Sequence, residues 1–202
     1  MELGHLIAFN AALAAAWIAP GPAMLVCVRS SLRGGWREGL ATGIGLASMG
    51  AMWTMAALFG LEAVFRFFPW TYGVLKIAGA LYLIWIAIQT WRHADDPVLE
   101  TPVMQSKAFR NGALVNLANP KAVLFAGAVL VVIFPPDLPL SMRFAVGFNH
   151  FVFEAIAYGL LALFVDRSGL ARPLLAAKKG LERATGVILG ALGIRLLLDR
   201  TP

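Results

Sequence analysis

Six apolar stretches, each close to the length a helix needs to cross a bilayer, constrain this chain more than anything else in it. They cover residues 6–28, 39–61, 71–91, 112–134, 142–165 and 181–198, the last being the shortest. A hydrocarbon core about 30 Å thick takes roughly 20 helical residues. A helix satisfies its own backbone hydrogen bonds, as hydrocarbon demands. Of the 202 residues, 59% are hydrophobic and 14% charged, where a soluble domain carries about 25% charged residues. The expected fold class is therefore an all-α integral membrane protein with six transmembrane helices. The opening "MELGH" has no positive n-region, and the apolar run after it is long for a signal peptide. Residues 6–28 are read as a retained first span.

The formal net charge of +6 is explained by orientation in a membrane. Basic residues gather in the first, third and fifth connections: Arg29, Arg33 and Arg37; Arg92, Lys107 and Arg110; Arg167, Arg172, Lys178, Lys179 and Arg183. Positive-inside logic puts those loops in the cytoplasm and, with six spans, both termini outside. No zinc-finger spacing or aromatic-basic pattern supports nucleic-acid binding. Cys27 is the only cysteine, so an internal disulfide is excluded, and it reads as small apolar filler.

The chain divides into a first three-helix unit over 1–91, a polar, proline-punctuated linker over 92–111, and a second three-helix unit over 112–202. "PGP" interrupts the first span and "NPK" the fourth. An odd number of spans per half would invert the second half relative to the first. Proline-interrupted segments at matching positions are a pointer to a transporter's binding region. The expected layout is two inverted three-helix repeats whose interrupted helices meet across a shared wet pocket.

Three groups of residues are candidates for chemistry. Pro20, Gly21 and Pro22 break the first span and strand the carbonyls of Ala16, Trp17 and Ile18. The plainer reading is a structural kink. In "NLANPKAVLF", Asn116 and Asn119 share a helical face, and Asn119 is placed to cap a helix that restarts at Pro120. Lys121 is expensive at that depth unless it faces a cavity or snorkels. His150 and Glu154 lie four apart in the fifth span and so on one face. A carboxyl moving between wet and dry surroundings can take up and release a proton, with His150 sharing it. A buried hydrogen-bonded pair is the bland alternative, and a substrate ammonium on Glu154 is another. Asn10, Tyr82 and Tyr158 are secondary cavity candidates. No HExxH, GxSxG elbow or phosphate-binding glycine loop is present, so neither an enzyme nor a cofactor is expected. Two metal-ligand types without a further cluster do not make a metal site.

Taken together, "APGPAMLVCVRSSLRGGWREGLATGIG", "LKIAGALYLIWIAIQ", "AFRNGALVNLANPKAVLF" and "GVILGALGIRLLL" resemble the LysE/RhtB superfamily of amino-acid exporters over nearly the whole chain. The resemblance implies a multi-pass exporter of the bacterial inner membrane, moving amino acids or related metabolites and driven by the proton gradient. By motif it marks Pro20, Gly21 and Pro22, and then Asn116, Asn119, Pro120 and Lys121, as the two broken-helix signatures. Two departures stand out. Ala23 replaces the acidic residue that many relatives carry after Pro-Gly-Pro, and "ASMGAMW" in the second span lacks their aspartate. Glu154 is then the main carboxylate left for a substrate ammonium, which weakens a lysine or arginine assignment and leaves a neutral amino acid or another amphipathic metabolite at least as well supported.

The expected function is proton-coupled export by alternating access, with Glu154 and His150 coupling proton entry to release. The partners are a small-molecule substrate, protons and the lipid bilayer, with a homodimer through small-residue surfaces compatible with the sequence but not placed by it; "GIGLASMG" itself reads first as helix packing. An exporter of a metal ion or other small solute, and a non-transport membrane scaffold, are the alternatives.

Overall fold

The computed structural model describes residues 3–18, 21–67, 71–92, 94, 107–135, 138–168 and 176–198, and these are almost entirely helical. The helices are α1 (Leu3–Ile18), α2 (Pro22–Phe67), α3 (Thr71–Arg92), α4 (Ala108–Leu117), α5 (Pro120–Ile133), α6 (Leu140–Ser168) and α7 (Lys178–Leu198). Each of the six apolar stretches falls on helix. The first is split between α1 and the start of α2, and the fourth between α4 and α5.

The helix α2 is two arms joined at Gly35, whose φ of 74° and ψ of −178° leave the helical region. Only glycine adopts that backbone without strain. The arms fold back on each other. Thr42 Oγ1 donates to Ser30 Oγ at 2.9 Å, and the Cys27 thiol reaches Gly39 O at 3.5 Å. Twelve residues along a straight helix would lie about 18 Å apart. The arms 22–34 and 36–67 therefore form an antiparallel hairpin around "RGGW".

Two stripes on α6 show how the sequence distributes its side chains. Phe148, Ile156, Leu160 and Phe164 are exposed large hydrophobics, spaced at multiples of four and so along one ridge that winds slowly round the helix. Apolar surface of this kind is at home in hydrocarbon. Displaced by two positions, His150, Glu154, Tyr158 and Ala162 form the inward stripe. The second arm of α2 meets it with Gly39 against Ala162, Gly43 against Tyr158, Gly50 against Glu154 and Thr54 against His150. The helices α2 and α6 make the most extensive contact in the fold, followed by α2 with α4 and α3 with α7.

Packing rather than hydrophobic exclusion holds helices together in lipid, because tails are as apolar as leucine. Close approach is therefore valuable. At the α2–α4 crossing, Gly45 lies against Phe109 O and Gly112 against Thr42 O, with no room for a side chain on either. One buried cluster centres on Phe9, Val129, Leu130, Val146 and Leu189. A second centres on Val26, Cys27, Leu46 and Ala162.

By length and composition, Pro22–Gly60, which includes the Gly35 turn, and Leu140–Val165 suffice to cross a membrane. The pair Ala108–Leu117 and Lys121–Leu130 passes the same test as one span bent by 67°. The linker residues 95–106 lie outside the described residues, as does Pro20.

Candidate functional site

Both helix interruptions open on one cavity of about 70 Å³. It lies between the two buried clusters, with Leu13 and Phe125 on one side and Met24 and Tyr158 on the other.

The second interruption is built as its residues dictate. Asn119 takes an extended backbone, φ −84° and ψ 104°, and its side chain accepts from Lys121 N at 3.0 Å. That satisfies one of the donors a new helix leaves open. Pro120 fills the first helical position, where a missing N–H costs nothing. On the α4 side, Asn116 lines the cavity, but its amide Nδ2 donates to Leu46 O at 2.6 Å. It ties α4 to α2 and has that donor committed.

At the first interruption, α1 ends at Ile18 and α2 begins at Pro22. Gly21 O accepts the first bond of the new helix from Leu25 N at 3.1 Å. Gly21 and Pro22 both line the cavity. Of the carbonyls stranded at the end of α1, Ala16 O accepts from Lys121 Nζ at 3.4 Å. A cation from one interruption thus completes the other.

Across the cavity stand His150 and Glu154. His150 Nε2 lies 3.4 Å from Glu154 Oε1. The approach is within ion-pair range but off the hydrogen-bonding direction, so Nε2 and Glu154 Oε2 are buried without a hydrogen-bond partner. Such groups are costly to bury and call for a ligand or a proton. Gly50 leaves the space they occupy: a Cβ there would stand 2.6 Å from Glu154 Oε2 and 3.1 Å from His150 Nε2. Tyr158, one turn further along α6, completes this side.

The cavity thus gathers Gly21, Pro22, Asn116, Asn119, Lys121, His150, Glu154 and Tyr158 from the sequence candidates. Asn10 sits apart from its lining and exchanges side-chain hydrogen bonds with Asn149, at 3.0 and 3.4 Å. Tyr82 lies on α3 beside Trp85, with ring centroids 5.6 Å apart, away from the cavity.

Four neighbours escaped the sequence reading as site residues. Thr54 Oγ1 stands 2.6 Å from His150 Nδ1. Phe9 meets the same ring edge-on at 5.8 Å. Gly50 read only as a packing glycine. Trp17, edge-on to Tyr158 at 5.8 Å, lines both this cavity and an almost wholly apolar groove of about 460 Å³ between α1 and α6. The i+4 spacing of Gly50 and Thr54 was the available signal.

One cation, one carboxyl and an imidazole, with Asn116, Asn119 and Tyr158 among apolar walls, suit a small solute carrying both charges. Lys121 matches a carboxylate and Glu154 an ammonium or a proton. Among the described residues, no group of three or more His, Cys, Asp or Glu side chains is placed to hold a metal ion.

Known proteins of similar sequence are membrane and efflux proteins. The chain is 26% identical over 185 residues to the uncharacterized membrane protein YahN of Escherichia coli (strain K12), covering 89% of this chain and 83% of that protein. It is 25% identical over 197 residues to the threonine efflux protein of the same strain, covering 92% and 93%. With the homoserine/homoserine lactone efflux protein of Salmonella typhimurium it shares 28% identity over 187 residues, 91% of each chain. No solved structure matches. The family model of the LysE type translocators matches residues 14–200, and the chain accordingly belongs to that family: it is a membrane transport protein and not an enzyme.

Proposed function

We propose that this protein is a secondary active exporter of amino acids or closely related zwitterionic metabolites, coupled to the proton gradient of the bacterial inner membrane. The observation that carries the proposal is the meeting of two interrupted helices at one cavity, with Lys121 on one side and Glu154 on the other. The cargo class follows the relatives, which are named for threonine and homoserine efflux. Helix breaks next to a cavity supply open backbone groups and helix-end partial charges. In this reading the substrate carboxylate lies near Lys121 and the start of α5, and its ammonium competes with a proton for Glu154. A carboxyl that cannot serve both at once exchanges one for the other, which is what coupling requires.

The layout that fits this role is six spans in two inverted three-helix repeats, 1–91 and 112–202, joined by the linker 92–111. Two features support it. Each half contains one interrupted helix, α1 with the first arm of α2, and α4 with α5. The arginines flanking the Gly35 turn, Arg33 and Arg37, suit a cytoplasmic face.

The test is efflux from proteoliposomes holding a mixed amino-acid panel under an imposed proton gradient. Efflux that collapses with an uncoupler is expected. The Glu154→Gln variant is expected to lose gradient-driven flux while keeping exchange of bound substrate. Coupled flux at the wild-type rate in that variant excludes the assigned role.

A further inference from the structure

We propose that Thr54 is the positioning residue of the His150–Glu154 pair. Its hydroxyl holds the imidazole with Nε2 toward the carboxyl and serves Nδ1 in both charge states of the ring. The inference deepens the coupling role given above to Glu154 and His150.

Thr54 is fully buried and His150 is 4% exposed, so water does not compete for the 2.6 Å contact between Oγ1 and Nδ1. At the opposite end of the ring, Nε2 faces Glu154 Oε1 at 3.4 Å. An ionised carboxylate only accepts. No hydrogen bond forms at that 3.4 Å approach, but the carboxylate's negative charge repels a lone pair and draws the hydrogen of a neutral ring to Nε2, which leaves Nδ1 a bare acceptor and makes Thr54 the donor. When the ring is charged, both nitrogens are donors, and the same hydroxyl rotates to accept. A hydroxyl takes both parts by turning its hydrogen, without moving its oxygen. Valine has the same shape and can take neither.

The setting leaves Thr54 as the one described polar group on Nδ1. Phe9 of α1 meets the ring edge-on, while His5 of that helix stacks on Phe134 instead. The titratable groups around the pair are Tyr158 on the same face of α6, Lys121 across the cavity from α5, and Cys27 of α2, which contacts Tyr158 O. None of these is the partner given to Nδ1.

The chain has three histidines, so ¹⁵N-histidine labelling of the full-length protein in lipid nanodiscs, with His5 and His93 replaced, isolates His150. Its nitrogen shifts report the tautomer directly. The expected result is a single neutral form, hydrogen on Nε2, in the parent and in Thr54→Ser, and both forms populated in Thr54→Val, where the ring loses its hold at Nδ1 and no longer keeps Nε2 toward the carboxyl. In proteoliposomes the pH of half-maximal flux should move by about half a unit or more in Thr54→Val and return in Thr54→Ser. Thr54→Val with the parent tautomer and the parent pH profile overturns the inference, as does Thr54→Ser behaving like Thr54→Val. The tautomer reading judges Thr54 alone. Retained coupling in Glu154→Gln would instead remove the exporter mechanism and leave the tautomer result intact.

Discussion

The ammonium of Lys121 lies 3.4 Å from the carbonyl oxygen of Ala16, a residue 105 positions earlier. One side chain thereby links the two places where the membrane helices stop and restart. Replacing it with methionine keeps length and apolar bulk but leaves Ala16 O without this donor. Hydrogen bonds to charged groups contribute about 1.5–3 kcal/mol, and tenfold in affinity corresponds to about 1.4 kcal/mol. Lys121→Met is expected to raise the apparent KM for amino-acid efflux about tenfold or more, measured against initial rates in proteoliposomes at matched protein density.

Gly50 is a slot rather than a hinge. An added methyl would stand 2.6 Å from Glu154 Oε2, and the carboxyl would have to move. Gly50→Ala should therefore abolish gradient-driven flux while the protein still elutes as a folded species in detergent. Shortening the acid relieves the collision, so the double variant Gly50→Ala/Glu154→Asp should recover part of the flux that Gly50→Ala alone loses. No recovery would place the defect in helix packing.

The α2–α4 crossing should dominate thermal stability in its region. Overpacking a close-packed contact costs about 1–3 kcal/mol, and both Gly45 and Gly112 face opposing backbone. Either glycine-to-alanine change is expected to lower the unfolding midpoint in detergent by several degrees. Asn116→Ala removes the 2.6 Å bond to Leu46 O at the same crossing and should cost about 1 kcal/mol. Combined with Gly112→Ala it should be less than additive, since both loosen one contact.

Asn10 and Asn149 offer a clean measurement of a polar contact between α1 and α6. Interhelical polar pairs in membranes are worth about 0.6 kcal/mol on average. A double-mutant cycle with alanine at both positions should return a coupling energy of that order from unfolding midpoints. Efflux should be affected less than in Lys121→Met, because the pair lies outside the cavity lining.

Much of this architecture was visible in the residues themselves. The six apolar stretches mark the helical regions because hydrocarbon length sets a sharp requirement. Asn119 before Pro120 announced its cap, since those residue types have few other uses in that order. His150 and Glu154 declared a shared face by their spacing. Helical spacing says which residues of one helix share a face; it is silent on which way that face turns. Hence Tyr82, polar and mid-helix like Tyr158, proved to lie beside Trp85 on α3, away from the cavity. Hence also Thr54, 96 positions from its partner, was not among the sequence candidates. Its role exists only where α2 lies against α6, and no local pattern encodes that contact.

The tight turn at Gly35 has a mechanical consequence. With Thr42 latched to Ser30 and a single residue at the bend, the two arms of α2 have no slack and travel as one rigid lever. Any motion that alternately exposes the cavity to either side must then be absorbed elsewhere in the chain, and among the described residues the break at Ala118–Asn119 is the place for it. Stapling the hairpin should leave turnover intact, whereas stapling α1 to α5 across the Ala16–Lys121 contact should stop it.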